Sequence, residues 1–134
     1  GAAMWGIGLR PEADGTTALA FLRAADGGII GSISVSSVGT TYNTVSDERR
    51  KKNIAASKTA TDSINAIKIR SFDWIANDEH VDYGVIAQEL ALVAPDAVTE
   101  GPVWAVDCSK LVPRLIKAVQ ELSAEVQSLK ETIK

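Results

Sequence analysis

A serine followed closely by lysines is the feature of this 134-residue sequence with the clearest potential for chemistry. It lies in residues 46–54 (SDERRKKNI), where Ser46 precedes four consecutive basic residues, 49–52. A serine hydroxyl is a weak nucleophile near neutral pH and needs a neighbouring base. The chain has a single histidine, His80, so a lysine is the alternative base, as in known Ser–Lys variants of the catalytic triad.

The same residues also fit two simpler structures. Ser46 with Asp47 is typical of a helix N-cap with acidic residues in the first turn, and the residue pattern alone favours this interpretation. Residues 49–52 also fit a solvated basic face or a weak nucleic-acid contact. The whole chain is acidic, with a net charge of −3, which counts against both nucleic acid and an anionic membrane as partners.

Composition gives little support to metal or cofactor chemistry. Cys108 is the only cysteine, so an internal disulfide and a CxxC zinc pattern are both excluded. His80 lies beside Glu79 and Asp82, and a surface turn explains this group better than a metal site. We therefore expect no cofactor and no metal ligand. No apolar run reaches the roughly 20 residues that span a membrane, so no membrane partner is expected.

The elements that must position Ser46 begin with a β-rich segment, residues 1–45. This segment is rich in Gly, Ser, Thr and Ala, and residues 30–36 alternate between apolar and small polar side chains. Such alternation predicts short strands, here separated by glycine turns at 26–28 and 38–39. Because few large apolar residues are present, we interpret the segment as part of an intertwined β structure built from several chains. A flexible linker is the alternative.

Residues 46 to about 107 are predicted to form a compact α+β unit. The expected elements are a short helix capped by residues 59–62 and reaching Lys68, a strand over 69–75, a turn at 77–79, a strand over 81–86, a helix over 88–93 that Pro95 ends, and a strand over 103–106. Leu90, Trp74 and Trp104 are expected in the core. Glu89 is expected to hydrogen-bond locally, and Cys108 to be a buried or cap-adjacent thiol.

Residues 108–134 carry a heptad repeat. Its members are Val112, Val119, Val126 and Ile133 at one position, and Leu115, Leu122 and Leu129 three residues later. β-Branched residues at a and leucine at d are typical of a coiled-coil helix. The helix could also pack on its own domain, but the strict repeat favours self-association. The a and d residues alone favour two strands rather than three.

Three motifs, taken in order, resemble one family. They are residues 46–54, residues 83–90 (YGVIAQEL) followed by 95–98 (PDAV), and residues 111–122 of the closing helix. Together they look like the intramolecular chaperone domain at the C-terminus of phage endosialidase tailspikes and other tail fibres. A related domain occurs in a membrane-tethered eukaryotic transcription factor. The resemblance covers about residues 44–134.

The resemblance implies a homotrimer that helps the preceding fibre segment to fold and then removes itself by autoproteolysis. Carried over to this sequence, the scissile bond is Val45–Ser46. Ser46 is the nucleophile of a Ser–Lys dyad and Lys51 is its base, with the adjacent Lys52 as the alternative base. The implied partners are two further copies and the upstream segment of the same chain. The implied location is the host cytoplasm during virion assembly, with the domain released from the virion tail fibre or kept in it.

The expected organisation is therefore an α+β, homotrimeric domain after a short fibre stem. Residues 1–45 are the β-rich end of the stem, in which Trp5 is expected to pack, and residues 46–134 are the auto-processing domain, with its coiled-coil helix over 108–134. A non-enzymatic trimerisation module, in which Ser46 is only a cap, is the main alternative. A receptor-binding fibre tip is a third, although the aromatic content of 5% counts mildly against glycan stacking.

Overall fold

The computed structural model describes residues 11, 13 and 15–133, and the chain divides into two compact units, Gly1–Ala55 and Ala56–Lys134. The first unit holds a three-stranded sheet, and the second holds helices with two small sheets. The predicted fold class, a small mixed α+β structure with a C-terminal helix, is confirmed. The predicted division at residue 45 stays a prediction, and Trp5 lies outside the described residues.

The described residues of the first unit include an antiparallel meander of three strands. Their bounds are β1 Thr16–Leu22, β2 Ile29–Ser36 and β3 Gly39–Thr44, in the spatial order β1-β2-β3. The alternation at residues 30–36 therefore predicted β2 correctly. The glycine turns at 26–28 and 38–39 connect the strands as expected, although Gly39 itself already belongs to β3.

The sheet has an apolar face and a polar face. Ile33 on β2 pairs with Leu19 on one side and Tyr42 on the other, so three apolar side chains form a row across the strands. On the opposite face, Asn43 Nδ2 donates to the hydroxyls of two β2 serines at 3.2 and 3.3 Å. The apolar row is partly uncovered in the single chain: Tyr42 is 77% exposed and Leu19 37%, while Ile33 is half-buried. An intertwined multichain structure would cover it, and that interpretation stays a prediction.

The second unit contains three helices and two two-stranded sheets. Their bounds are α1 Thr61–Asn65, β4 Arg70–Asp73, β5 His80–Gly84, α2 Ala87–Ala91, β6 Val98–Thr99, β7 Ala105–Val106 and α3 Val112–Thr132. β4 pairs with β5 and β6 with β7, both antiparallel. Every element predicted here exists, but each is shorter than predicted, and β6 was not predicted. Strand length depends on the partner strand, which alternation in one segment does not encode.

Two predicted helix boundaries need correction. Helix α2 begins at Ala87 and ends at Ala91, before Pro95 could stop it. Pro95 instead begins a 3-10 turn, Pro95–Ala97, where a proline at the first position is tolerated. Helix α3, predicted over 108–134, begins only at Val112, because residues Cys108–Leu111 form a 3-10 turn. Pro113 lies in the first turn of the helix, as predicted.

The core of the second unit centres on Leu90, as predicted. Leu90 is 2% exposed and packs with Ala94 and Ala97, which are also buried. Partly buried apolar residues from the surrounding elements complete the cluster: Ile67, Val85, Val98, Val106 and Leu111. The cluster thus draws together α2, both strands of the last sheet and the start of the C-terminal helical region.

Trp74 does not join this core. It is 53% exposed, so its predicted burial is wrong, whereas Trp104 is half-buried. Trp74 follows the last residue of β4, and its ring meets Phe72 edge-on with centroids 5.5 Å apart. Phe72 also explains the glycine of the second motif. A Cβ at Gly84 would lie 2.5 Å from Phe72 Cε1, so only glycine lets this ring approach the backbone.

Helix α3 packs on its own unit with a face that is not the heptad seam. Ala118 is buried at 4%, and the half-buried Arg114, Lys117 and Glu121 share its face at helical spacing. The seam residues remain about half exposed or more: Val112 50%, Leu115 47%, Val119 59%, Leu122 48%, Val126 48%, Leu129 55% and Ile133 83%. The two alternatives left open by the sequence therefore concern different faces of one helix.

Glu121 caps the N-terminus of α1 from a distant part of the sequence. Its carboxylate accepts hydrogen bonds from the Thr61 hydroxyl at 2.6 Å and from the backbone N–H groups of Thr61 and Ala60 at 3.0 and 3.1 Å. The prediction that residues 59–62 supply the cap was therefore wrong. The bonds from Thr61, first the hydroxyl and then the N–H, lower the pKa of Glu121 to about 2. A five-residue helix needs such support because short helices are unstable alone.

Replacing Glu121 with glutamine is expected to lower the stability of the chain at neutral pH and to flatten its acid dependence. The folded pKa of about 2 lies below the ordinary value of 4.5, so this stabilisation is present above that value and is lost as the pH falls toward 2. Thermal unfolding between pH 7 and pH 2 measures the effect. Glu125→Gln on the same helix is the control, and an equal acid dependence in both variants would contradict the prediction.

Gly84→Ala is expected to destabilise the second unit by about 1–3 kcal/mol, since the new methyl group overlaps the Phe72 ring. Gly101→Ala is the matched control, because its Cβ would meet the Val103 carbonyl oxygen at an ordinary 3.5 Å. Denaturant unfolding followed by tryptophan fluorescence compares the two variants. Equal midpoints for Gly84→Ala and the parent chain would show that Phe72 can move aside without cost.

Candidate active site

The candidate site begins where strand β3 ends. The last residue of β3 is Thr44, but the Val45 N–H still donates to the Ile30 carbonyl at 3.2 Å, so pairing with β2 extends to Val45. A 3-10 turn, Glu48–Arg50, follows at once. The Val45–Ser46 bond therefore lies between a paired strand end and a tight turn, and both neighbours restrict its position.

Asp47 is the cap of this turn, and the interpretation of Ser46 as the cap is wrong. The Asp47 carboxylate accepts from the Arg49 N–H at 2.9 Å and from Arg49 Nη2 at 2.5 Å. These bonds, the side-chain bond first, hold the pKa of Asp47 below its ordinary value, and the same carboxylate raises the pKa of Arg49. Because the Asp47 carboxylate accepts the hydrogen bond from the Arg49 N–H, the Ser46 hydroxyl is not needed as a cap.

Lys51 returns to Ser46 at the other end of the turn. Its backbone N–H donates to the Glu48 carbonyl at 2.9 Å, and its Nζ donates to Ser46 Oγ at 2.6 Å. Of the two adjacent lysines, it is Lys51 that makes this contact. The two residues predicted as nucleophile and base thus lie in direct contact beside the predicted scissile bond. Their catalytic roles stay predictions.

An open cavity of about 250 Å³ surrounds this contact. It is lined by Ile30, Val45, Ser46, Asp47, Arg50 and Lys51. Ser46 and Lys51 are both exposed, so water can reach the Val45–Ser46 bond. Ile30 and Arg50 were not predicted as site residues. The partner of Val45 could have been derived from the hairpin register, since Ser36 pairs with Gly39 and each step along β2 matches one step along β3.

His80 belongs to a surface network on the β4–β5 hairpin. Its Nδ1 lies 2.5 Å from Asp73 Oδ1, and its Nε2 lies 3.3 Å from Asp82 Oδ1 and 3.2 Å from Ser71 Oγ. The two carboxylates approach different ring nitrogens, so they do not converge on one point. Across residues 15–133, no three His, Cys, Asp or Glu side chains are arranged to hold a metal ion.

Glu89 of the second motif has a distant partner instead of the expected local one. Its carboxylate accepts from Arg70 Nε at 2.8 Å and from Arg70 Nη2 at 2.6 Å. The Arg70 bond lowers the pKa of Glu89. This pair links α2 to β4. It gives Glu89 a structural role, and neither residue lines the candidate site.

Of the two expected placements of Cys108, buried or next to a cap, the structure shows the second, with an exposed thiol. The cap is Asp107, which accepts from the Ser109 N–H at 3.0 Å and from the Ser109 hydroxyl at 2.6 Å. Within the described part of the chain, no helix is both long and apolar enough to cross a bilayer.

Comparison with known families confirms the resemblance drawn from the motifs. Residues 46–99 match the model of the family Peptidase_S74, described as chaperone of endosialidase. The match begins at Ser46 and includes the first two motifs, and α3 lies beyond it. The match supports a chaperone domain of this type in residues 46–99. No curated protein and no solved structure matched the chain.

Proposed function

We propose that this domain assembles as a homotrimer, helps the preceding fibre segment to fold, and then cuts its own Val45–Ser46 bond. Ser46 is the nucleophile and Lys51 the base. The observation that carries the proposal is the 2.6 Å hydrogen bond between Lys51 Nζ and Ser46 Oγ, beside that bond. The family match supports the chaperone role independently of this geometry. The reaction would take place in the host cytoplasm during virion assembly.

The reaction needs two steps, because the nucleophile belongs to the residue that follows the scissile bond. In the first step, Lys51 takes the proton from Ser46 Oγ, and Oγ attacks the Val45 carbonyl carbon. The C–N bond then breaks, the released Ser46 nitrogen takes up a proton, and Val45 is left as an ester on Oγ. In the second step, one water hydrolyses this ester. The products are a Val45 carboxylate and a Ser46 with a free amine and a free hydroxyl.

The bond to be cut is presented by the backbone around it. The Val45 N–H is held by Ile30, and the turn that begins at Asp47 directs Lys51 back to the Ser46 hydroxyl. Holding the reacting groups in place raises the reaction rate, since a displacement of about 1 Å can lower the rate by about 100-fold. Lys51 accepts the Ser46 proton only as the neutral amine.

Assembly is supported by the uncovered seam of α3. A helix that packs one face on its own unit and leaves seven heptad residues about half exposed or more has an apolar stripe to bury. Further copies of the same helix supply a matching stripe. The number three comes from the family resemblance, because the heptad residues alone favour two strands. The exposed apolar row of the first unit offers a second surface that assembly would cover.

A trimerisation module without cleavage is the second candidate, and the exposed seam supports it equally. In that case the contact between Ser46 and Lys51 is only a surface hydrogen bond. The two candidates differ in one observable, because the module without cleavage leaves every chain intact after assembly.

Cleavage is expected to be lost in Ser46→Ala and to fall by about 100- to 10,000-fold in Lys51→Arg, which keeps the charge but is a poor base. Lys52→Arg is the matched control and should cut at the parent rate. Denaturing gels taken over time after expression measure the three variants against the parent chain. Cleavage that persists in Ser46→Ala, or that is lost equally in Lys52→Arg, would rule out this dyad.

Leu122→Asp is expected to weaken assembly, because it places a charge in the middle of the apolar seam. Ser128→Asp, an exposed position of the same helix outside the seam, adds the same charge and should leave assembly unchanged. Light scattering after size-exclusion chromatography gives the solution mass of each variant. A parent chain with the mass of one copy, or a trimer that tolerates Leu122→Asp, would refute the proposed interface.

A further inference from the structure

We propose that Arg50 is a positioning residue for the self-cleavage, which fastens the turn carrying Lys51 to the first residues of strand β2. The inference rests on the proposed cleavage at Val45–Ser46 and adds to it a side chain outside the proposed dyad.

Two neighbouring carbonyls of β2 contact the two sides of the candidate site. The Ile30 carbonyl accepts from the Val45 N–H at 3.2 Å, on the acyl side of the scissile bond. The Ile29 carbonyl accepts a long hydrogen bond of 3.5 Å from Arg50 Nη1, next to the base. Successive carbonyls of an extended strand point to opposite sides, so Arg50 must reach across the end of β2. A long side chain with several donors suits that reach.

The electrostatics of the β1–β2 turn agree with this placement. The pKa of Asp26, which lies in that turn, is lowered chiefly by the hydrogen bond from Arg23 and to a smaller extent by the charge of Arg50. The Arg50 guanidinium is therefore near the turn that leads into β2 as well as near the cavity that it lines with Ser46.

The two adjacent arginines have different partners, and this separates their roles. Arg49 bonds to the Asp47 carboxylate and so completes the cap within the turn. Arg50 bonds outside the turn, to a residue 21 positions earlier in the chain. Only the second contact relates the turn to the strand that holds Val45. The sequence alone showed both residues merely as positive charges beside Lys51.

Strand β2 thereby positions both the bond to be cut and the turn that carries the base. The strands approach closely at this end, since a Cβ at Gly31 would lie 3.1 Å from the Asn43 carbonyl oxygen. With β2 in place, Ile30 fixes the bond to be cut and Ile29, through Arg50, fixes the turn that carries the base. A chain in which this hairpin has not formed lacks both contacts, so cleavage depends on the folding of the segment upstream of Ser46.

The test compares Arg50→Met, Arg50→Lys and the control Lys52→Met by measuring the first-order rate of cleavage against pH. Methionine keeps the apolar reach without a donor, whereas lysine keeps a donor and the charge. We expect Arg50→Met to be slower by about 10- to 100-fold, including on any plateau where the rate no longer rises with pH. We expect Arg50→Lys to recover most of this loss and Lys52→Met to match the parent chain.

Positioning and charge effects are distinguished by the plateau. If Arg50 acts only through its charge on Lys51, the rate of Arg50→Met reaches the parent plateau at high pH, and the proposal is overturned. An Arg50→Met rate equal to that of the parent chain at every pH overturns it as well.

A second measurement does not depend on cleavage. In the uncut Ser46→Ala chain, hydrogen exchange of the Val45 amide reports its bond to Ile30, and adding Arg50→Met should speed that exchange while the amides in the middle of β2 stay protected. If the parent chain is never cut but this exchange responds, the proposed cleavage fails and the positioning contact stands. If the exchange does not respond, the positioning role is refuted even where Ser46 and Lys51 are shown to cut.

Discussion

The backbone hydrogen bond from Val45 to Ile30 is the constraint on which the candidate site depends. It extends the β2–β3 pairing beyond β3 and so gives the Val45–Ser46 bond a fixed place. The chain then enters a 3-10 turn capped by Asp47, and this turn returns Lys51 to within 2.6 Å of the Ser46 hydroxyl. Without the strand pairing, the Val45–Ser46 bond would not be held in a fixed position beside Ser46 and Lys51, which are five residues apart in the sequence. The reactive geometry is therefore a property of the folded hairpin as much as of the two side chains.

In the second unit, one helix carries two distinct faces, one packed and one uncovered. Helix α3 uses Ala118 and Glu121 to pack against its own unit, and Glu121 also caps a helix that is too short to be stable alone. The heptad residues lie on another face of the helix, which the packing leaves about half exposed or more. Because the two faces do not compete, the unit can bury one face and still present the other for the proposed association. The segment that matches the chaperone family, residues 46–99, contains the core around Leu90.

The sequence predicted the elements well where a short-range pattern sets them. Alternation located β2, the heptads located α3, and the second motif located Leu90 in the core. It failed where a distant partner decides the structure. The cap of α1 comes from Glu121, the partner of Glu89 is Arg70, and neither can be read from neighbouring residues. At the site, the first motif predicted Ser46 and Lys51, and the hairpin register would have predicted Ile30 as the partner of Val45. Nothing in the neighbouring sequence shows that Arg50 contacts β2 whereas Arg49 contacts Asp47.

The central claim is that Ser46 cuts the bond that precedes it. Its most direct test is the mass of the purified parent chain under denaturing conditions, with the N-terminal residue of each species identified. If Ser46 cuts this bond, two pieces are expected, residues 1–45 and residues 46–134, the second beginning with an unmodified Ser46. A single species with the mass of the intact 134-residue chain, in a sample that has assembled, would contradict it and leave a trimerisation module without cleavage.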